Sequence, residues 1–390
     1  MSVVIPCLNE VSGVEKSVVE AILGVRSVVG RKNWGEVLVI DNGSTDGSLE
    51  KVEELVRANK GARVIVRLIG ERQRGYGAAL LRGFGEAKGQ IVVMGDADGS
   101  YDFREIPRLV KPLLVKKGGK RAEIVVGSRV GGRIEKGAMP FLHRRVGTPV
   151  LTRLANVLFD LKLSDSQSGM RALLKKSYLG LGMRMKGMEF ASEMLVRASR
   201  KKMIIVEVPI SYRRRKGVSK LLPLSDAWRH VRFLLLFSPG RLFTVPGTIL
   251  FLSGISLFLL TAPGPLRLGG GVLDIHTLSI SGMVAILGFQ LLSLGMYARV
   301  YGRYSFGVIQ DDFLDHLIER FELEQGIRAG VATVMAGLVI LGWVVIGWVA
   351  GGFSELSQVR PVLVGVILTL LGMQMVFGSF FLSFLRGEGR

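Results

Sequence analysis

The sequence predicts a mostly parallel α/β sheet with helices on both faces, followed by four transmembrane helices. Short β-branched runs alternate with helix-length segments in the N-terminal half, and long apolar runs fill the C-terminal part. The mean hydropathy of +0.38 is high for a soluble protein. We therefore expect an α/β domain over residues 1–210, a basic amphipathic juxtamembrane segment over 211–240, and a transmembrane domain with four helices over 241–390.

Five strands are predicted from short runs rich in Val and Ile. Between them we expect an amphipathic helix from about Val14 to Val29, and another that ends near Val56 and is capped by Asp46 or Ser48. Parallel strands end at one edge of a sheet, where ligands collect in such folds. The five runs are Val3–Pro6, Val37–Ile40, Val64–Leu68, Ile91–Met94 and Ile124–Val126.

Alternating carboxylates follow the fourth run directly. Asp96 and Asp98 are two residues apart, so they share a face if the backbone is extended. Oxygen ligands of this kind hold Mg²⁺ or Mn²⁺ together with substrate phosphates. A polar Asp-Gly turn at a strand end explains the same residues without any ligand. We favour a metal and phosphate site over a plain turn because other polar loops are expected at this edge.

Two further loops belong to that edge. Asp41 follows the second run and begins a turn-rich stretch. The loop from Arg72 to Ala79 leads from the third run into a helix; its glycines permit close backbone approach, and its arginines favour phosphate. On its own a glycine loop is more often just a turn, but three loops at one edge favour a nucleotide site.

Taken in order, these segments resemble the GT-A glycosyltransferases of family 2. Later segments narrow the resemblance to dolichol-phosphate mannose synthase and related polyprenyl-phosphate glycosyltransferases, over roughly residues 1 to 225. The segments that carry it are Val4-Ile5-Pro6-Cys7-Leu8-Asn9-Glu10, Val39-Ile40-Asp41-Asn42-Gly43-Ser44-Thr45-Asp46, Gly75-Tyr76-Gly77-Ala78, Asp96-Ala97-Asp98, Gly127-Ser128-Arg129, Asp165-Ser166-Gln167-Ser168-Gly169-Met170-Arg171 and Gly217-Val218-Ser219-Lys220-Leu221.

The resemblance implies a Rossmann-like GT-A catalytic domain and a role for individual residues. For the nucleotide sugar it implies Pro6, Asn9, Glu10, Asp41, Gly75, Ala78 and Asp96, with Arg214, Lys216, Ser219 and Lys220 folding over the pyrophosphate as a lid. For the metal, Mg²⁺ or Mn²⁺, it implies Asp98, Asp96 and Ser100, and for the lipid phosphate Arg129, Arg144 and Ser168. Asp96, Asp98, Arg129 and Arg144 are the expected catalytic residues.

Three positions depart from the family pattern. Asn42 stands where the family often has a second Asp, Ser100 where mannose synthases often place Gln, and Lys216 where Arg is frequent. These departures bear on which sugar nucleotide is the donor more than on the type of reaction.

The region from about 128 to 220 is basic and less regular. Its arginines form either a solvated face attracted to anionic lipid or a phosphate pocket, and we favour the pocket for Arg129 and Arg144. Glu189 and Glu193 are four residues apart on one helix face, and we expect Glu193 to be solvated.

Composition narrows the class of protein. The formal net charge of +20 fits anionic partners, but nothing here resembles a recognition helix or a stacking sheet, so we expect no nucleic acid partner. The single cysteine, Cys7, allows no intrachain disulfide and fits core packing in a reducing compartment. Met1 leads straight into a strand, so we expect no signal peptide.

The four apolar runs predict an integral membrane protein. We expect spans at about 242–262, 277–298, 329–350 and 361–385, each near the 20 or so residues that cross a bilayer. The connection from Arg299 to Arg328 carries more basic residues than the other two, and basic, aromatic residues precede the first span. This bias predicts a cytoplasmic catalytic domain, in the plasma membrane of a prokaryote.

The function expected from the resemblance is transfer of a hexose, mannose or glucose, from a GDP- or UDP-sugar to dolichyl or polyprenyl phosphate with inversion, in contact with membrane lipid. A processive polysaccharide synthase is an alternative, disfavoured because no Gln-x-x-Arg-Trp-type motif precedes the spans. A membrane protein that binds a nucleotide sugar without catalysis is another, disfavoured because both Asp96 and Asp98 are present.

Overall fold

In a computed structural model the chain forms two compact units, Met1–Leu234 and Leu235–Arg390. The structure describes residues 1–30, 33–116, 118–217, 223–269, 271–306, 323–353 and 358–387. Ser219 and Lys220 lie outside the described residues.

A seven-stranded sheet forms the centre of the first unit. The strands lie in the order β3-β2-β1-β4-β6-β5-β7, and only β6 runs antiparallel to its neighbours. They are β1 Ser2–Cys7, β2 Gly35–Asp41, β3 Val64–Gly70, β4 Ile91–Met94, β5 Ile124–Ser128, β6 Arg171–Leu174 and β7 Ile205–Pro209. The predicted sheet class and its first five strands are confirmed, whereas the region predicted as irregular contains two more strands.

Helices cover both faces of this sheet. The buried side chains of β1, β2 and β4 are mostly apolar, as expected for parallel strands enclosed on two sides, and the polar ones, Ser2, Glu36 and Asp41, lie at or near strand ends. Asp46 rather than Ser48 bonds the start of the second helix, since its Oδ1 accepts from the Ser48 amide at 3.1 Å. The helices are α1 Val14–Val29, α2 Ser48–Ala58, α3 Tyr76–Glu86, α4 Ile106–Leu114, α5 Thr148–Phe159, α6 Lys175–Leu181, α7 Phe190–Arg200 and α8 Pro223–Leu236.

Four helices of the second unit, within the described residues, are long and apolar enough to cross a bilayer. A short hairpin of β8 Leu266–Leu268 and β9 Gly271–Leu273 connects the first two. The helices are α9 Val245–Thr261, α10 Ile275–Phe306, α11 Leu323–Ala350 and α12 Val359–Arg386, so the four predicted spans are confirmed.

Glycines bring α11 and α12 into close contact. A Cβ on Gly337 would lie 2.7 Å from the Gly365 carbonyl oxygen, and one on Gly372 would lie 2.7 Å from that of Gly330. Small residues of this kind allow the backbones of two transmembrane helices to approach each other closely. Such close packing drives helix association in lipid, where the hydrophobic effect does not.

We expect Gly337→Ala to destabilise the membrane unit by about 1–3 kcal/mol, because the added methyl group meets backbone that cannot move aside. Gly342→Ala on the same helix is the matched control, since nothing lies within 4 Å of its added Cβ. Thermal unfolding in detergent measures both. Equal unfolding temperatures for the two variants would contradict glycine-dependent packing.

Candidate functional site

The carboxyl ends of β1, β2 and β4 meet at one edge of the sheet, because these strands are parallel neighbours. A cleft of about 330 Å³ opens at this edge. Of the predicted site residues, Pro6, Glu10, Gly75, Asp96 and Asp98 line it. These five residues therefore lie together, and their contact with a nucleotide sugar or a metal stays a prediction.

Asn9 and Asp41 organise the loops beside the cleft and do not line it. The Asn9 Oδ1 accepts from the Thr45 amide at 2.7 Å, and the Asp41 Oδ2 accepts from the Gly43 amide at 2.9 Å. Ser44 completes the link, since its Oγ accepts from the Asn9 amide at 2.9 Å. These bonds join the loops after β1 and β2, and a contact of Asn9 or Asp41 with a nucleoside stays a prediction.

Asn42 explains one departure from the family pattern. Its Nδ2 donates to the carbonyl oxygens of Glu71 and Gln73 at 3.1 and 2.8 Å, while its Oδ1 accepts from the Gly75 amide at 2.7 Å. An ionised Asp has no hydrogen to donate, so it could not hold this loop in the same way.

The glycine loop packs against the chain's own backbone. Gly75 has φ +138°, and a Cβ there would lie 2.2 Å from the Lys186 carbonyl oxygen. The same oxygen accepts from the Ala78 amide at 3.0 Å, and the Ala78 side chain is buried. The close approach inferred from the sequence is therefore to Lys186, and Ala78 does not line the cleft.

Glu193 holds that neighbouring loop, so the expectation that it is solvated was wrong. Its side chain is fully buried, accepts from the amides of Arg184 and Met185, and pairs with Arg197 at 2.7 Å. A buried carboxylate is tolerated because these partners satisfy it.

The two carboxylates after β4 have different surroundings. Asp96 accepts from the Tyr76 hydroxyl at 3.0 Å, and a Cβ on Gly169 would lie 3.0 Å from its Oδ2, so a larger residue at 169 would press on this carboxylate. Burial, with the nearby charge of Asp98, raises the pKa of Asp96 to about 7. Tyr76 is a contact that the sequence did not single out.

Asp98 presents one oxygen to its own loop and the other to the cleft. Its Oδ1 accepts from the Ser100 amide at 3.0 Å and from the Ser100 Oγ at 2.5 Å. Its Oδ2 lies 3.5 Å from a guanidinium nitrogen of Arg215. Ser100 is fully buried, so in this structure it orients Asp98, and its direct contact with a metal stays a prediction.

The chain from Tyr212 to Lys216 runs along the Asp98 loop. The Arg213 amide donates to the Ser100 carbonyl at 2.8 Å, and the Lys216 amide donates to the Asp98 carbonyl at 2.9 Å. Arg215 lines the cleft, whereas Arg214 and Lys216 do not. The Arg214 side chain lies about 3.7 Å from the position of a Cβ on Gly137. A contact of Arg214 or Lys216 with the pyrophosphate stays a prediction.

Arg129 lies in a buried ion pair. Its Nε and Nη2 donate to the two carboxylate oxygens of Asp165 at 2.7 and 2.9 Å, and its guanidinium lies 5.2 Å from the Tyr212 ring centre. The planar fork that was predicted to meet a lipid phosphate is thus directed at a carboxylate. Asp165, quoted only as part of a motif, is the residue that the sequence reasoning missed here.

Arg171 holds the loop that follows Asp165. This arginine is fully buried and donates to the carbonyl oxygens of Ser166, Ser168 and Ala191, and burial lowers its pKa to about 10. Ser168 is enclosed too, and its Oγ has no hydrogen-bond partner among the described residues. A lipid phosphate cannot reach Ser168 in this arrangement without movement of the loop.

Arg144 does not line the cleft. It lies on a π-helical turn, His143–Gly147, that precedes α5. Phe141, Leu142 and Val146 on the same segment are exposed by 76%, 64% and 48%. This part of the first unit therefore presents apolar and cationic side chains to its surroundings.

Comparison with known proteins agrees with this arrangement. Residues 2–181 match glycosyl transferase family 2, and residues 296–386 match the glycosyltransferase family 2 C-terminal transmembrane region. The low-salt glycan biosynthesis hexosyltransferase Agl6 of Haloferax volcanii is 38% identical over 385 residues, which cover 98% of this chain and 88% of that protein.

Two further likenesses are more distant. The dolichol-phosphate mannosyltransferase of Pyrococcus furiosus is 31% identical over 263 residues, covering 65% of this chain and 69% of that protein. A solved structure of glucosyl-3-phosphoglycerate synthase from Mycobacterium tuberculosis, with Mn²⁺, UDP and phosphoglyceric acid, is 23% identical, covers 62% of this chain and 78% of that chain, and has a TM-score of 0.44.

The α/β unit and the four apolar helices, together with these matches, define a membrane glycosyltransferase. More particularly, the chain belongs to glycosyl transferase family 2, which confirms the resemblance found in the sequence.

Proposed function

We propose that this enzyme transfers one hexose, mannose or glucose, from a GDP- or UDP-sugar to dolichyl or polyprenyl phosphate, and so supplies a lipid-linked sugar for glycan assembly. The observation that carries the proposal is the cleft at the sheet edge, which is lined by three carboxylates and three arginines and into which Asp98 directs its Oδ2, 3.5 Å from Arg215. The names of two relatives, a hexosyltransferase and a dolichol-phosphate mannosyltransferase, support it.

A divalent cation, Mg²⁺ or Mn²⁺, fits the residues present. Asp98 offers a carboxylate oxygen, and Asp96 and Glu10 line the same cleft. Among the described residues no group of three or more His, Cys, Asp or Glu side chains gathers in a way that would hold a metal. The remaining ligands would then come from donor phosphates and water, as is usual for Mg²⁺. Such a cation supplies charge stabilisation of the departing diphosphate.

The acceptor phosphate is already an anion, so the reaction needs no strong general base. One of its oxygens forms a bond to the anomeric carbon as the bond from that carbon to the diphosphate breaks, and attack from the opposite face inverts the centre. The protein's part is to position both substrates and to stabilise the negative charge that leaves. We assign Asp96 and Asp98 to binding of the nucleotide sugar and its metal, and Arg129 and Arg144 to binding of the lipid phosphate.

The segment around Arg144 supports a lipid acceptor. Exposed Phe141 and Leu142 directly precede the π-helical turn with Arg144 and Arg145, and exposed Val150 lies near Arg153 on α5. Apolar side chains beside cationic ones suit a membrane interface, where the former enter the acyl boundary and the latter meet phosphate.

Purified full-length protein incubated with GDP-mannose, GDP-glucose, UDP-glucose and polyprenyl phosphate tests the function. We expect a glycolipid whose mass exceeds that of the acceptor by one hexose. A ladder of several hexoses would favour a processive synthase instead. Binding of a nucleotide sugar without any product would favour a non-catalytic protein.

We also propose that the catalytic unit faces the cytoplasm. Within the membrane unit, Arg360 at the start of α12 pairs with Asp274 at the start of α10, so the charges of these two connections offset each other in part. Leu268→Cys and Phe353→Cys, made in a Cys7→Ser background, should therefore react with an impermeant thiol reagent in intact cells, because both native side chains are exposed. Gly302→Cys should react only after lysis. The reverse pattern would invert the orientation.

A further inference from the structure

The Arg215 guanidinium lies between two carboxylates of the cleft. Its Nη2 lies 3.2 Å from the Glu10 Oε1 and 3.5 Å from the Asp98 Oδ2. Both carboxylates line the cleft with it. The Asp98 Oδ1 is already bonded to Ser100, so Oδ2 is the oxygen that remains for a cation.

The Arg215 contact is less complete than the chain's structural ion pairs. Arg129 makes two short parallel bonds to Asp165 and is 11% exposed, whereas the Arg215 side chain is 27% exposed and reaches both acids through a single nitrogen. Its Nε is buried and has no hydrogen-bond partner among the described residues. An arginine with an unused donor in a substrate cleft is suited to a second partner.

The segment can release the side chain without unfolding. The backbone bonds of Arg213 and Lys216 to the Asp98 loop do not involve the Arg215 guanidinium. Gly217, with φ +104°, follows directly, and a Cβ there would lie 3.9 Å from the Glu10 Oε2. A rotation about the Arg215 side-chain bonds therefore leaves the backbone of this segment in place.

We propose that Arg215 is an exchangeable counter-cation: it neutralises Glu10 and Asp98 in the empty enzyme and moves to the donor diphosphate when a divalent cation enters. The exchange follows from charge, because two cations cannot both neutralise the Asp98 Oδ2 at close range. In the empty enzyme Arg215 weakens metal binding. In the loaded enzyme it strengthens nucleotide binding. The donor half of this inference rests on the proposed function.

The test measures Mn²⁺ binding to full-length protein in detergent, by the electron paramagnetic resonance signal of free Mn²⁺. Without nucleotide, Arg215→Gln is expected to bind Mn²⁺ about tenfold more tightly than wild type, because a competing charge is gone. At saturating Mn²⁺ the same variant should bind GDP or UDP about tenfold more weakly, since a charge-assisted bond to the diphosphate is lost. Arg215→Lys should fall between the two.

Arg108→Gln is the matched control, because it removes one exposed positive charge on α4 outside the cleft and should change neither affinity. Equal Mn²⁺ affinity in wild type and Arg215→Gln would overturn the proposal, and so would the absence of Mn²⁺ binding in every variant. Tighter Mn²⁺ binding by Arg215→Gln in a protein that makes no glycolipid would overturn only the proposed function.

Discussion

Asp98→Asn is expected to lower kcat for glycolipid formation by at least about a hundredfold while the fold stays intact. The neutral amide is a poorer ligand for a hard cation, and metal-assisted charge stabilisation is worth several kcal/mol in such reactions, of which each 1.36 kcal/mol is a factor of about ten. The fold should survive because an Asn Oδ1 still accepts the two bonds from Ser100. Initial rates at saturating donor and Mn²⁺, with circular dichroism of the same samples, measure both effects.

Glu54→Gln is the control for this variant, since it neutralises one exposed carboxylate on α2, away from the cleft. We expect it to keep the wild-type rate. Near-normal turnover of Asp98→Asn in excess Mg²⁺ or Mn²⁺ would contradict the assignment of Asp98 as the metal ligand.

The fold was predictable where hydrophobic pattern alone determines it. The first five strands and the four spans are long or strongly apolar, and their alternation fixes a parallel sheet. Strand β6 was missed because it begins with Arg171, a residue type that is seldom buried. Only the folded chain supplies the three carbonyl oxygens that satisfy its guanidinium.

The site was predictable to the level of the loop, and not always to the residue. Arg215 lines the cleft, whereas Arg213 pairs with Glu20 and Asp102. The sequence contains no signal for which basic residue of this segment faces the cleft. The backbone bonds to Ser100 and Asp98 decide it, and these pair residues more than a hundred positions apart.

The structure sharpens the expectation that Arg129 and Arg144 bind the acceptor phosphate, since the two arginines have different surroundings. Arg144 is exposed, so Arg144→Ala should leave the unfolding temperature unchanged. It should lower kcat/KM for the lipid about ten- to a hundredfold, because one charge-assisted hydrogen bond to the phosphate is lost. The donor KM should stay at its wild-type value.

Arg129→Ala should act on stability as well as on transfer. It leaves Asp165 buried without its ion-pair partner, and breaking a buried pair costs about 3–5 kcal/mol. Asp165→Asn is the matched variant, because it breaks the same pair and keeps the guanidinium. Both should unfold at lower temperature, but kcat/KM for the lipid, measured well below that temperature, should fall further in Arg129→Ala. Equal losses would mean that Arg129 acts by holding the Asp165 loop and not by meeting the phosphate.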